Sequence, residues 1–169
     1  MTEITIEPIS DKHIEGFHRA LDTVARERRY LTFLQAPPLE STRVFVRDMI
    51  ENGHSQFVAL SDDEVIGWCD VRRHSQPVHA HGGALGMGVL PGFRGQGLGE
   101  RLIRATIDDA QRKGLARIEL SVHADNARAI RLYERVGFIR EGIGTDAVCI
   151  DGRLLDVIRM ALVRRFPSD

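Results

Sequence analysis

Between residues 84 and 113 the chain reads ALGMGVLPGFRGQGLGERLIRATIDDAQRK. A strand-like alternation of apolar residues runs into a turn, Arg94 to Gly99, that holds three glycines, and leaves it as a helix. Glycine at a helix start weakens the helix by roughly 1 kcal/mol per residue relative to alanine. A strand that passes through such a turn leaves backbone N–H groups facing outward at the positive end of the helix dipole, and that is an anion site. Glycine allows positive φ and lets a phosphate approach with no Cβ in the way, and Arg94 could add a direct charge. The alternative for the turn alone is a plain tight connection before a surface helix. The helix carries an apolar stripe of Leu98, Leu102, Ile103, Ile107 and Ala110, so it must pack one side on a core.

The rest of the chain supplies a sheet for it to pack on. Residues 3–9 alternate as a strand, and Ser10 or Asp11 can cap a helix running to about Arg28. Pro37 and Pro38 end any helix there, and a second helix is expected over 40–52. SQFVALS and EVIGWCDVRR form a hairpin turned at Asp62-Asp63, and ALGMGVL is a strand after the loop HSQPVHAHGG. Gly114 stops the long helix, ARIELSVHA is a strand, and NARAIRLYERV is a helix opened by Asn126 and closed by Gly137. Two last strands join at Asp151-Gly152, a hairpin signal. The order β-α-α-β-β-β-α-β-α-β-β predicts an α/β fold, a mostly antiparallel sheet of about seven strands flanked by four helices, as a single domain over residues 1–169.

Composition narrows the function. A net charge of -1 argues against a dedicated nucleic-acid binder, and no apolar run is long enough to span a membrane. The N-terminal stretch lacks the basic head and apolar run of a signal peptide, and Cys69 and Cys149 sit in apolar strands, so a cytoplasmic protein without disulfides is expected. The turn lacks the Gly-Lys-Ser/Thr ending of a P-loop and the strand context of a dinucleotide site. Gly86 and Gly88 alternate with Leu85, Met87 and Val89, and glycine within a strand often marks a bulge or close ligand approach. An accessible strand edge leading to a pyrophosphate cradle suits a long ligand with an amide-bearing arm.

VLPGFRGQGLG resembles the acyl-CoA signature of the GNAT superfamily of N-acetyltransferases, Arg/Gln-x-x-Gly-x-Gly/Ala, on Arg94, Gly97 and Gly99. NARAIRLYERVGF, residues 126–138, is similar to that superfamily's second motif, in which an asparagine opens a helix and a tyrosine follows two-thirds along it. The resemblance covers roughly residues 3–164 and is nearest to small bacterial members acting on amino-acid-like amines. It implies acetyl-CoA as cosubstrate; separately, the spacing of His74, His79 and His81 leads us to expect no metal. The resemblance places Arg94, Gly95, Gln96, Gly97, Leu98 and Gly99 on the pyrophosphate, Met87, Gly88 and Val89 along the pantetheine arm, and Asn126, Ala129 and Tyr133 near the cofactor. Tyr133 falls on the family's general acid, and a main-chain N–H near Gly88 or Val89 on the oxyanion site. A core-packing role for Tyr133 and a plain N-cap role for Asn126 are the structural alternatives.

Several family members place a glutamate base on the strand before the glycine turn, and GGALGMGVL has none. Asp70, Glu119 and His123 are the available bases, beside a water chain with no dedicated base. Arg28 or Arg29 could meet an acceptor carboxylate, with Tyr30 and Phe33 as walls, or simply form a solvated helix end. His74, His79 and His81 share a loop but match no standard zinc spacing, so a lip over the acceptor is expected instead. The expected activity is acetyl transfer from acetyl-CoA to the primary amine of a small molecule. A protein N-terminal or lysine acetyltransferase is the alternative, and a non-catalytic acyl-CoA-binding module is the alternative of another class. Related enzymes often dimerise, so a homodimer is expected.

Overall fold

The computed structural model describes residues 2–165. In chain order it holds β1 (Ile4–Pro8), α1 (Ile14–Ala25), α2 (Leu39–Glu51), β2 (Ser55–Ser61), β3 (Glu64–Arg73), β4 (Gly82–Val89), α3 (Leu98–Arg112), β5 (Arg117–His123), α4 (Ala127–Val136), β6 (Ile139–Ile150) and β7 (Arg153–Val163). One seven-stranded sheet runs β1-β2-β3-β4-β5-β7-β6, so the α/β architecture and element order match the sequence expectation. Every neighbouring pair is antiparallel except β4 and β5.

Both hairpin signals act through backbone conformation. Asp62 and Asp63 take φ of 49° and 63°, and Asp151 and Gly152 take 52° and 77°. Two successive positive φ values make the turn whose twist suits a two-residue hairpin. The α3 stripe is buried as its spacing requires, packing Leu102, Ile103 and Ile107 with Ile118, Leu120 and Tyr133 on one face of the sheet. On the other face α1 packs Phe17, Leu21 and Val24 against Val58, Val65 and Trp68.

Two boundaries differ from expectation. The first helix ends at Ala25 rather than near Arg28. Its last amides fold back in short turns, Glu27 N to Val24 O and Arg28 N to Ala25 O, and Arg28 then takes φ 56°, which no helix tolerates. The fourth strand begins at Gly82, inside what reads as loop, because Gly83 pairs with Arg73. A Cβ on Gly83 would lie 2.7 Å from the Arg72 carbonyl oxygen, so the glycine pair continues a strand where a side chain would push it apart.

The feature that positions the site is the β4–β5 seam. These parallel strands pair only over Gly82–Ala84 with Arg117–Glu119, and beyond Ala84 they diverge. A wedge therefore opens in the middle of the sheet, with the rest of β4 as one wall.

Candidate active site

The wedge runs to the N-terminus of α3. Gly95 and Gly97 have φ of 75° and 79°, and no atom lies within 4 Å of where a Cβ on either would stand. Gly97 is the N-cap of α3 and no side chain caps that helix, so the first-turn N–H groups of Leu98, Gly99 and Glu100 have no capping partner. A diphosphate fits this cradle: bare backbone, unsatisfied donors and a favourable dipole in one turn. Gly99 has a different task. A Cβ there would sit 3.2 Å from Leu132 Cδ2 and 3.5 Å from Met87 Cε, so Gly99 lets α3 approach α4 and β4.

Arg94 does not bring the free charge that the sequence suggests. Its Nη1 and Nη2 donate to the Glu27 carboxylate at 2.9 and 2.6 Å, and its Nε donates to the Val89 carbonyl at 2.8 Å. Its guanidinium stacks 4.9 Å from the Tyr30 ring. Glu27 holds the Arg94 charge more firmly still, raising its pKa. The chain of Arg94 lies in the turn; its side chain reaches back to the end of α1. Gln96 is exposed and its amide donates to the Gly92 carbonyl at 3.3 Å.

Strand alternation fixes which β4 groups face the wedge. Leu90 N bonds Ile66 O and His74 N bonds Gly82 O, and these pairs bracket the β3–β4 ladder. In an antiparallel ladder bonded pairs alternate, so Gly86 and Gly88 turn their backbone groups to Asp70 and Trp68. Leu85, Met87 and Val89 turn theirs the other way. Of the two expected oxyanion donors, Gly88 N–H is thus directed into the ladder, while Val89 N–H, with Met87 N–H, points to the wedge. The strand glycines also do not mark a bulge. A Cβ on Gly88 would lie 2.3 Å from the Trp68 ring, so that glycine exists for the indole stacked over it.

Tyr133 projects from α4 into the core on the α3 side, ring to ring with Phe138 at 5.8 Å. Burial raises the pKa of its phenol, and the neighbouring Cys69 thiol pushes the same way, so the hydroxyl stays protonated. The ring packs as a core residue does, and the protonated hydroxyl is the group a proton-donor role would use. Asn126 caps α4 in the ordinary way, its Oδ1 accepting from Ala129 N at 3.2 Å, which also occupies the Ala129 amide.

The opposite face of the wedge gathers polar groups. Glu119 accepts from His74 at 2.9 Å and from Arg117 at 3.3 Å, while Arg117 also binds Glu141. His79 lies edge-on to His74 with ring centroids 6.1 Å apart. Among the described residues no group of three or more His, Cys, Asp or Glu is placed to hold a metal ion. His74, His79, Arg117 and Glu119, with Gln76 and His81, line a hollow of about 550 Å³. His123 is buried and bonds through Nδ1 to the Arg29 carbonyl at 2.7 Å, tying the segment after α1 over the end of β5.

Arg28 is bound bidentately by Asp151, at 2.9 and 2.6 Å. The Arg29 guanidinium stacks 5.4 Å from Tyr30 and pairs with no carboxylate among the described residues. Asp70, partly buried, sits beside Gly86. Burial pushes its pKa up to about 7, against the pull of Arg72. Its position has one signal in the sequence: it is the sole charged residue in the apolar run VIGWCDV.

A strand edge that offers amide pairing and ends in a bare anion cradle suits a long acyl carrier with a diphosphate. The model of the Acetyltransferase (GNAT) family matches residues 19–138, and the chain belongs to that family. The L-amino acid N-acetyltransferase AaaT of Escherichia coli (strain K12) is 28% identical over 165 residues, 97% of this chain and 100% of that protein. The mycothiol acetyltransferase of Renibacterium salmoninarum is 40% identical over 80 residues, 46% of this chain, and the match spans only 24% of that longer protein. The structure of yncA from Salmonella typhimurium, solved with its cofactor acetyl-CoA, superimposes with a TM-score of 0.91 at 19% identity, covering 98% of this chain and 96% of that one. At that identity the superposition speaks for the fold. None of the described helices is long and apolar enough to cross a membrane.

Proposed function

We propose that this enzyme transfers an acetyl group from acetyl-CoA to the primary amine of a small molecule of the amino-acid kind. The observation that carries the reading is the continuity of the β4 edge with the side-chain-free N-terminus of α3. Bound there, acetyl-CoA would supply an activated thioester. The amides of Leu98, Gly99 and Glu100, with the turn Gly95–Gly97, hold its diphosphate. Met87 and Val89 pair with its amide arm as a neighbouring strand would. A wedge-facing N–H of Met87 or Val89 supports the negative charge that develops on the carbonyl oxygen. The amine lone pair forms the new C–N bond, the C–S bond breaks with its electrons on sulfur, and Tyr133 gives that sulfur its proton. The phenol recovers a proton from the acylated nitrogen through water.

A free amino acid is favoured over a protein acceptor on two grounds. The hollow of about 550 Å³ is in the range of small-molecule sites, and the Arg29 guanidinium, with no carboxylate partner among the described residues, suits an acceptor carboxylate. The full-length match to an L-amino acid N-acetyltransferase points the same way. The test is release of free thiol from acetyl-CoA across a panel of L-amino acids, other small amines and a peptide with a free N-terminus. The expected outcome is turnover with one or more free amino acids at a kcat/KM above that of the peptide. Preference for the peptide would replace the acceptor, and silence across the panel would remove the reading.

A further inference from the structure

Gln56, Asp70 and Gly86 stand in register across β2, β3 and β4, so their side-chain positions share one face of the sheet. It is the face that carries Trp68 and Glu119, on the acceptor side of the wedge. The Asp70 carboxyl lies over Gly86: a Cβ there would be in ordinary contact with its two oxygens, at 3.5 and 3.7 Å. Only that glycine separates the carboxyl from the open edge of β4. Among the described residues no hydrogen bond or ion pair reaches the Asp70 carboxyl. Arg72, on the same strand, is taken by Asp48 at 3.0 Å.

The neighbour on the other side is equally unsatisfied. Gln56 is only 4% exposed, yet among the described residues neither its amide oxygen nor its amide nitrogen has a partner. Buried polar groups are almost always hydrogen-bonded, so an orphaned amide beside a free carboxyl marks a place kept for a polar visitor. The other bases considered are engaged: Glu119 by His74 and Arg117, and His123 by the Arg29 carbonyl.

We propose that Asp70 is the general base of the reaction, reaching the acceptor nitrogen across Gly86 while Gln56 orders the water or ammonium beside it. The inference rests on the acetyltransferase reading above. An amine reaches the site as an ammonium. One N–H bond breaks, an O–H bond forms on Asp70, and the electron pair stays on nitrogen for the attack. The proton then leaves Asp70 for solvent.

A carboxyl with a pKa near 7 has the strength for this task at neutral pH. The groups around it explain the value. β2 presents neutral Gln56, β4 presents Gly86, and α1 presents apolar Phe17, Leu21 and Val24 to this side of the sheet. From α2 comes Asp48, already paired with Arg72, and from β5 comes Glu119, already paired with His74.

The experiment uses the full-length enzyme and its Asp70→Asn variant, with an acceptor that the parent turns over. The parent's kcat/KM should rise with pH and bend near 7. Asp70→Asn should lose that bend and fall by roughly 10²–10⁴-fold, with acetyl-CoA affinity by calorimetry unchanged. Asp70→Glu should restore part of the rate. In the enzyme without substrates, carbon NMR of labelled aspartate should show one carboxyl titrating near neutrality that vanishes in Asp70→Asn. Turnover within a fewfold of the parent, or a lowered rate that keeps the same bend, overturns the proposal. So does the absence of a near-neutral carboxyl in the parent spectrum. Should the parent itself acetylate no amine, the underlying activity fails first, and that result differs from a parent that works and a variant that works equally.

Discussion

Tyr133 can be separated from its surroundings by one oxygen atom. Its hydroxyl has no recorded hydrogen-bond partner among the described residues, while its ring packs on Phe138, so Tyr133→Phe keeps the packing and the helix. Turnover should fall by roughly 10²–10⁴-fold with acetyl-CoA affinity nearly unchanged, checked by single-turnover kinetics and calorimetry. A purely structural tyrosine would leave turnover intact. Asp70 makes a second, independent statement through stability. Burial raises its pKa from 3.8 to about 7 in the folded protein, so the fold binds a proton that the unfolded chain releases. The native state is therefore penalised increasingly as pH rises from about 4 to about 7, and Asn, neutral throughout, escapes the penalty. Asp70→Asn should be more stable than the parent by on the order of 2 kcal/mol near pH 8, discounted for partial exposure, and by less near pH 5. Thermal unfolding at the two pH values reads the difference.

At the scale of the element, β4 shows what periodicity reveals and what it hides. Its alternation of Leu85, Met87 and Val89 with glycines was legible, and so was its delivery into the α3 turn. The reasons for the glycines were not, because each depends on a neighbour that only the register supplies. Gly88 faces Trp68 from β3 and Gly86 faces Asp70, whereas Gly99 faces Leu132 from α4. Gly88→Ala should cost about 1–3 kcal/mol or more through overpacking against the indole, seen as a lower Tm. Gly86→Ala meets only ordinary contacts and should leave the fold standing. The end of α1 was misread for a similar reason. ARERR is helical by propensity, but Arg28 is drawn into positive φ and bound by Asp151, which lies in the last hairpin.

For the molecule as a whole, the element order, both hairpins and the glycine turn before α3 followed from local pattern, since each is a property of neighbours in sequence. The proposed acceptor side did not, since it is built from residues far apart in the chain that only the sheet order brings together, such as Gln56 with Asp70. The Arg94–Glu27 pair is of this kind too, with both side chains mostly buried at 19% and 24% exposure. It fastens the turn before α3 to the segment that also carries Tyr30 and, through Arg29, touches His123. Two substrates bound where we propose, on either side of this fastening, cannot bind as strangers. If the first settles the turn, it settles the acceptor segment, and the second must return the favour by the same factor, since a closed cycle of binding steps sums to zero. Acceptor affinity measured calorimetrically should then be higher with CoA present than without it. In Arg94→Gln that ratio should shrink toward one, even where the variant still binds each ligand alone.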